Sequence, residues 1–454
     1  MERKPNLVVL FADQMRAHTM SALVSGSNGD AGALTPNLER LARNGVNCAN
    51  AISNCPVCTP SRGSLITGRY PLRHMAVAND LQMPPGQTSI AEVLNRNGYR
   101  CGYIGKWHLD GIPRDVFTPP GPRRQGFDDY WAVFECHHDY FNTRYFLDKP
   151  DLVRAEGYEP DIQTNLAIEY IGSRMNDPFC LFVSWGPPHD PYQLVPEKYR
   201  AMFDPERMGP RPNCAAPDRR AVADYFAAVA ALDECVGRIA RTLEELGLDE
   251  NTILVFTSDH GDMLWSHGRR NKQQPWEESI RIPLILSRPG AMPENAVRRG
   301  LIGVTDLPPT LLALCGIQPP ECMEGLDHSR MLLEDRGPRH ASVPIMDIVP
   351  TDQAKAWGGR PWRGVRTERY TYARYRDEGW VLYDNDKDPY QFENLIARPE
   401  AEKLRDEMEG ELQKWLERMG DEFLAAEGHL EQLGLLEAWN EREAHFDRLW
   451  RRKK

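Results

Sequence analysis

The stretch Thr252–Asp262, TILVFTSDHGD, is an apolar run that stops at Ser258-Asp259-His260-Gly261-Asp262. A short, continuous run of this kind reads as a strand buried on both faces. Asn6–Gln14, NLVVLFADQ, has the same design, with Leu7–Phe11 followed by Ala12-Asp13-Gln14. Tyr99–Ile104 leads into Gly105-Lys106-Trp107-His108, and Phe179–Trp185 leads into Gly186-Pro187-Pro188-His189-Asp190-Pro191-Tyr192. Val46–Ile52 and Pro283–Leu286 add further strands. Between them the apolar spacing becomes helical, over Pro36–Ala42, Ser89–Asn97, Thr164–Met175, about Asp218–Leu246 and Thr305–Leu314. This alternation predicts an α/β fold with a mainly parallel sheet flanked by helices. Polar groups collect at the C-terminal ends of the strands, where such sheets bind ligands.

After about residue 345 the pattern changes. Trp362–Thr367, Tyr370–Tyr375 and Trp380–Tyr383 read as short antiparallel strands, turned by Asp384-Asn385-Asp386 and Asp388-Pro389. Helices follow at about Glu400–Met419 and Leu430–Trp450. The chain thus divides into a catalytic domain, 1–345, and a smaller C-terminal α+β subdomain, 346–454. The last helix keeps Leu430, Leu433, Leu436, Trp439, Phe446, Leu449 and Trp450 largely on one side. That stripe packs on the main domain, with a homo-oligomer contact as the alternative. Residues 112–160, rich in Pro, Gly and aromatics and without a period, read as a substrate-side insertion. In it Trp131, Tyr140 and Tyr145, with His137 and His138, suit a sugar subsite and loop packing equally well.

The 454 residues suffice for a large core, and a net charge of −11 excludes a general nucleic-acid binder. An acidic chain that handles an anion must gather its cations locally. No apolar run approaches the ~18 residues of a membrane span. The ten Cys are scattered, so most are small buried residues rather than a disulfide framework. The opening MERKPNLVVLFADQ runs straight into a strand without an apolar leader, which points to the cytoplasm.

Asp13, Asp259 and His260 come from two strand ends, and Gln14 adjoins Asp13. Two carboxylates and an amide oxygen suit calcium, with manganese or magnesium as alternatives, and the imidazole leans toward a transition metal. Lys106 and His108, two residues apart, share a side of an extended segment; they read as a solvated pair or as an anion cation and an acid/base group. His189 sits in a stiff proline loop, and Lys272 in the polar loop 263–281. In CPVCTPSRGSLITGRY, residues 55–70, Cys58 precedes a helix ended by Gly68, so an anion there meets the helix's positive end. Arg62, one turn in, can point back at the same anion. Cys55-x-x-Cys58 also suits zinc or a redox pair, but no second CxxC accompanies it.

Cys58-Thr59-Pro60-Ser61-Arg62 resembles the Cys-x-Pro-Ser-Arg signature of type I sulfatases, in the alkaline phosphatase superfamily. Asn6–Gln14, Gly105–His108, the Pro-His-x-Pro-Tyr setting of His189, Ser258–Gly261 and Lys272 with Trp276-Glu277 resemble further segments of that family, in order. Val365-Arg366-Thr367 and Leu382-Tyr383-Asp384 resemble its C-terminal subdomain. Gln14 and His260 replace the more frequent Asp and Asn, which is more similar to the branch of choline sulfatases and phosphonate monoester hydrolases. A phosphonate or phosphodiester hydrolase is therefore the nearest rival, and an inactive sulfated-glycan binder a more distant one.

The resemblance implies an alkaline-phosphatase-like fold and a sulfated small molecule or glycan as substrate. It implies a formylglycine made from Cys58 by a formylglycine-generating enzyme, and one divalent cation, Ca2+ first, on Asp13, Gln14, Cys58, Asp259 and His260. Arg62, Lys106 and Lys272 would surround the sulfate. His189 would protonate the leaving group, and His108 would accept a proton as sulfate is expelled.

Overall fold

The computed structural model describes residues 3–20, 30 and 32–452. One sheet holds eleven strands: β1 (Asn6–Asp13), β2 (Gly45–Ile52), β3 (Arg100–Lys106), β4 (Tyr130–Phe134), β5 (Asn142–Phe146), β6 (Leu152–Glu156), β7 (Phe179–Pro188), β8 (Thr252–Ser258), β9 (Arg281–Ile282), β10 (Leu284–Ser287) and β11 (Ala296–Gly303). Their order is β11-β2-β10-β8-β1-β7-β3-β4-β5-β6, with β9 on β2. The central strands β8, β1, β7, β3 and β4 are parallel. Antiparallel pairing enters through β10 on one side and the β5–β6 hairpin on the other.

Every residue of β1 is buried, which requires apolar side chains on both faces. Val8, Leu10 and Ala12 join one core, under the helices Glu159–Ser173 and Arg219–Glu245. Leu7, Val9 and Phe11 join the other, under the helices Cys58–Thr67, Ile90–Arg96 and Leu307–Leu314. Alternation of period two sorts them, each large side chain stabilising the fold by roughly 1.5–3 kcal/mol. The parallel strands therefore end side by side, and Asp13, Lys106, His189 and Asp259 all emerge at that edge.

Gly105 lets β3 end there. Its φ is 100°, and a Cβ would lie 2.0 Å from the Ser184 carbonyl oxygen of β7. Gly105→Ala is expected to destabilise the protein by on the order of 3 kcal/mol, read as a lower denaturation midpoint. An unchanged midpoint would contradict this packing.

A second, antiparallel sheet follows in chain order: β12 (Ser342–Asp347), β13 (Trp362–Thr367), β14 (Tyr370–Tyr375) and β15 (Gly379–Asp384). β12 straddles the expected boundary at residue 345. Leu412, Trp415 and Leu416 of the helix Glu402–Met419 share a core with Met346 and Val365, and also with Cys55, Val57 and Tyr70 beside the Cys58 helix.

Two expectations are corrected. Residues 112–160 are regular where no period was expected: they contain β4–β6, which extend the main sheet, while Arg114 and His138 of the same stretch do reach the substrate side, at the Cys58 cavity. Trp131 and Tyr140 are each 1% exposed, so they pack rather than line a subsite. The final helical stretch is two helices, Ala426–Gln432 and Leu436–Arg452, parted by Gly434 at φ 69°. The last helix lies on the main domain, with Phe446 under Arg114 at 4.9 Å. Among the described residues no helix is long and apolar enough to cross a membrane.

Candidate active site

The helix Cys58–Thr67 begins on Cys58 and closes at Gly68, which adopts the left-handed conformation. Pro60 lies in the first turn, where its missing N–H costs nothing. Around Sγ lie Lys272 Nζ at 2.9 Å, His260 Nε2 at 3.3 Å, and Asp13 Oδ1 and Lys106 Nζ, each at 3.7 Å. Burial and Asp13 oppose ionisation of the thiol, yet the Lys106 and Lys272 ammonium groups hold its pKa well below the ordinary value. The position favours a negative group.

Asp13, Cys58, Asp259 and His260 each bring a ligand atom within 4.8 Å of the others. His260 Nδ1 lies 3.0 Å from the Gly261 carbonyl, which can only accept, so the Nε2 lone pair faces the two carboxylates. Gln14, at φ 70°, donates its backbone N–H to Asp259 (3.0 Å) and its Nε2 to Asp262 (2.7 Å). Its Oε1 is buried without a hydrogen-bond partner. Two carboxylates and an imidazole within reach of one another, with the orphaned amide oxygen of the residue next to Asp13, make a donor set that fits a hard divalent cation. Burial opposes the charge on Asp13, but the Lys106 ammonium and, after it, the Arg62 guanidinium hold its carboxyl well below the usual range. Burial and the charge on Asp13 push Asp259 up.

Arg62 departs from expectation. It is fully buried, donating Nε to Asp259 (3.1 Å), Nη2 to Asp13 (3.3 Å) and Nη1 to the Lys106 carbonyl and Ser184 Oγ (2.8 and 2.7 Å). With these bonds it braces the two carboxylates instead of facing a bound sulfate.

Lys106, His108, His189 and Lys272 do line one cavity with Cys58, of about 330 Å³. Lys106 pairs with Asp13, which outweighs burial and keeps the ammonium charged. Lys272 sits between Asn271 and Gln273, whose φ values are 62° and 67°. Gln273 fixes this strained turn by donating to Asp347 (3.0 Å) and accepting from Thr351 Oγ1 (2.6 Å) and Trp362 Nε1 (3.1 Å). Residues of the smaller sheet and its loop thus position a lysine that lines the Cys58 cavity.

The two histidines have opposite resting charges. His108 Nε2 lies 3.1 Å from Asp80; burial opposes its charge, but Cys136 and Asp80 raise the imidazole to about 10. It rests protonated, so it does not begin as the expected proton acceptor. His189 donates Nδ1–H to the Asp190 carbonyl (2.8 Å) and stacks on His138 at 4.2 Å. Burial, then Lys272 and His138, hold its pKa well below the ordinary value, and it rests neutral.

Residues 5–317 match the Sulfatase family model, and residues 266–418 match the model of the N-sulphoglucosamine sulphohydrolase C-terminal region. The chain belongs to the sulfatase family. It is 38% identical to the ulvan-active sulfatase of Formosa agariphila over 94% of this chain and 84% of that one. It is 29% identical to the endo-4-O-sulfatase of Bacteroides thetaiotaomicron, over 86% of this chain and 88% of that one. The solved structure of the candidate sulfatase yidJ from Bacteroides fragilis superposes with a TM-score of 0.84 at 32% identity, covering 93% of this chain and 98% of that one.

Several residues of this sulfatase's site carry no motif in the sequence. Asp262 accepts from Gln14, from the Tyr192 hydroxyl (2.6 Å) and from the Asn271 N–H (3.1 Å), tying the metal cluster to the Lys272 loop. Asp80 pairs with His108, with Arg114 at 2.6 Å and with Arg442 at 3.5 Å. Only the closing of the last helix over the pocket brings Arg442 there.

Proposed function

We propose that this sulfatase hydrolyses a sulfate monoester on a carbohydrate. The observation that carries the reading is the convergence of Lys106, Lys272, His260 and Asp13 on Cys58, at a helix N-terminus on the floor of one cavity. The carbohydrate part is supported by relatives named for ulvan and for 4-O-sulfate groups.

Asp13, Gln14, Asp259 and His260 would hold a divalent cation, calcium by the predominance of oxygen donors. When bound, it supplies positive charge for the sulfuryl oxygens. Cys58, oxidised to formylglycine by a maturation enzyme, supplies through its hydrated aldehyde the nucleophile and the means of later expelling sulfate. Lys106 and Lys272, at 3.7 and 2.9 Å from the Cys58 Sγ position, stabilise the charge that grows as the S–O bond breaks. Arg62 holds the two carboxylates in place.

A sugar alkoxide leaves poorly without a proton, and His189 at the cavity wall is the donor in this reading. Because His189 must be protonated and its pKa is depressed, kcat/KM for a sugar sulfate rises toward acidic pH. 4-Nitrophenyl sulfate, whose leaving group needs no acid, lacks that limb. His189→Ala removes the limb and slows sugar sulfates more than the aryl ester. Equal losses on both would transfer the acid role to His108, protonated at neutral pH.

Comparing 4-nitrophenyl sulfate and sulfated sugars with phosphate and phosphonate esters tests the function. Faster turnover of sulfates, lost on chelation and restored by Ca2+, is expected. Preference for phosphonates would favour the rival hydrolase.

A further inference from the structure

The catalytic cavity does not end at His108 and His189. Arg114, His138 and Phe446 line it and also line a second cavity of about 600 Å³, between the 134–144 segment and the last helix. The shared walls make the two a continuous cleft. Apolar surface is supplied there by Phe446 and by Leu449, which is 40% exposed. Such surface suits the apolar face of a sugar ring.

Arg144 also lines this outer cavity, and its circumstances differ from those of Arg114. The Arg114 guanidinium is answered by buried Asp80. Arg144 lies over the Phe134 ring at 5.0 Å, half-buried, with Nε enclosed and lacking a hydrogen-bond partner. Among the described residues no carboxylate forms an ion pair with it. Asp115 and Asp139 border the same cavity but are exposed to solvent. A half-desolvated guanidinium lying over an aromatic ring, with no carboxylate paired to it, is poised for an oxyanion at its outer nitrogens.

We propose that the outer cavity is a subsite for an acidic sugar unit adjoining the one that bears the scissile sulfate, with Arg144 pairing with its carboxylate or second sulfate. The proposal rests on the carbohydrate-sulfatase reading. It narrows the substrate class to a glycan with a negative charge on the neighbouring unit.

The test compares wild type and Arg144→Gln on three sulfated disaccharides, whose neighbouring unit is a neutral hexose, a uronate or a second sulfated hexose, with 4-nitrophenyl sulfate alongside. Wild type is expected to favour an acidic neighbour over the neutral one by about tenfold in kcat/KM, and Arg144→Gln to bring that ratio near one through KM. A preference for the uronate assigns a carboxylate, and one for the disulfated compound a second sulfate; either supports the subsite. Equal wild-type rates on all three, or an undiminished preference in Arg144→Gln, would overturn it while leaving the sulfatase reading intact. No turnover of any of the four esters would instead defeat the sulfatase reading, and the subsite with it.

Discussion

Replacing Cys58 with alanine is expected to abolish sulfate-ester hydrolysis, lowering kcat/KM by about 10⁴-fold or more. The substitution deletes one atom that faces two ammonium groups, an imidazole and a carboxylate within 3.7 Å. Those groups stay in place, because Lys106 keeps its pairing with Asp13 and Lys272 is fixed through Gln273. Folding should therefore survive, and the cation, left with Asp13, Gln14, Asp259 and His260, should bind more weakly but still bind, while turnover is lost. Thermal unfolding with and without calcium, beside 4-nitrophenyl sulfate turnover, separates the two. Substantial residual activity would show that another group supplies the nucleophile.

The largest expected effect on stability comes from Arg62→Met. The guanidinium is fully buried and shared between Asp13 and Asp259, at 3.3 and 3.1 Å. Removing one member of a buried ionic cluster leaves the other charges uncompensated, a loss of about 3–5 kcal/mol. A divalent cation on the same carboxylates offsets part of that loss by mass action. Denaturant unfolding of Arg62→Met should therefore show a large destabilisation under chelation and a smaller one with saturating calcium. An equal loss in both conditions would separate Arg62 from the cation site.

The layout of the main sheet was legible because each central strand is a continuous apolar run closed by polar residues. That pattern located Asp13, Lys106, His189 and Asp259 at one edge before any pairing was known. The Cys58 helix was legible from Pro60 and Gly68. What the sequence could not express were contacts between distant segments. Asp80, near in sequence to no catalytic motif, gathers His108 and Arg114 from the segment after β3 and Arg442 from the last helix. Arg62 carries the right charge for a sulfate, and only its four hydrogen bonds reveal that it faces carboxylates. The charge states of His108 and His189 depend likewise on burial and on neighbours that folding supplies.

The central claim is that Cys58 works as an aldehyde, and the most direct measurement is the mass of the tryptic peptide Asn44–Arg62 from active enzyme. This peptide holds Cys48, Cys55 and Cys58. Alkylation is expected at Cys48 and Cys55 only, with an aldehyde-reactive residue at position 58 and turnover that scales with the aldehyde fraction. A fully active preparation in which all three cysteines are alkylated as thiols would contradict it.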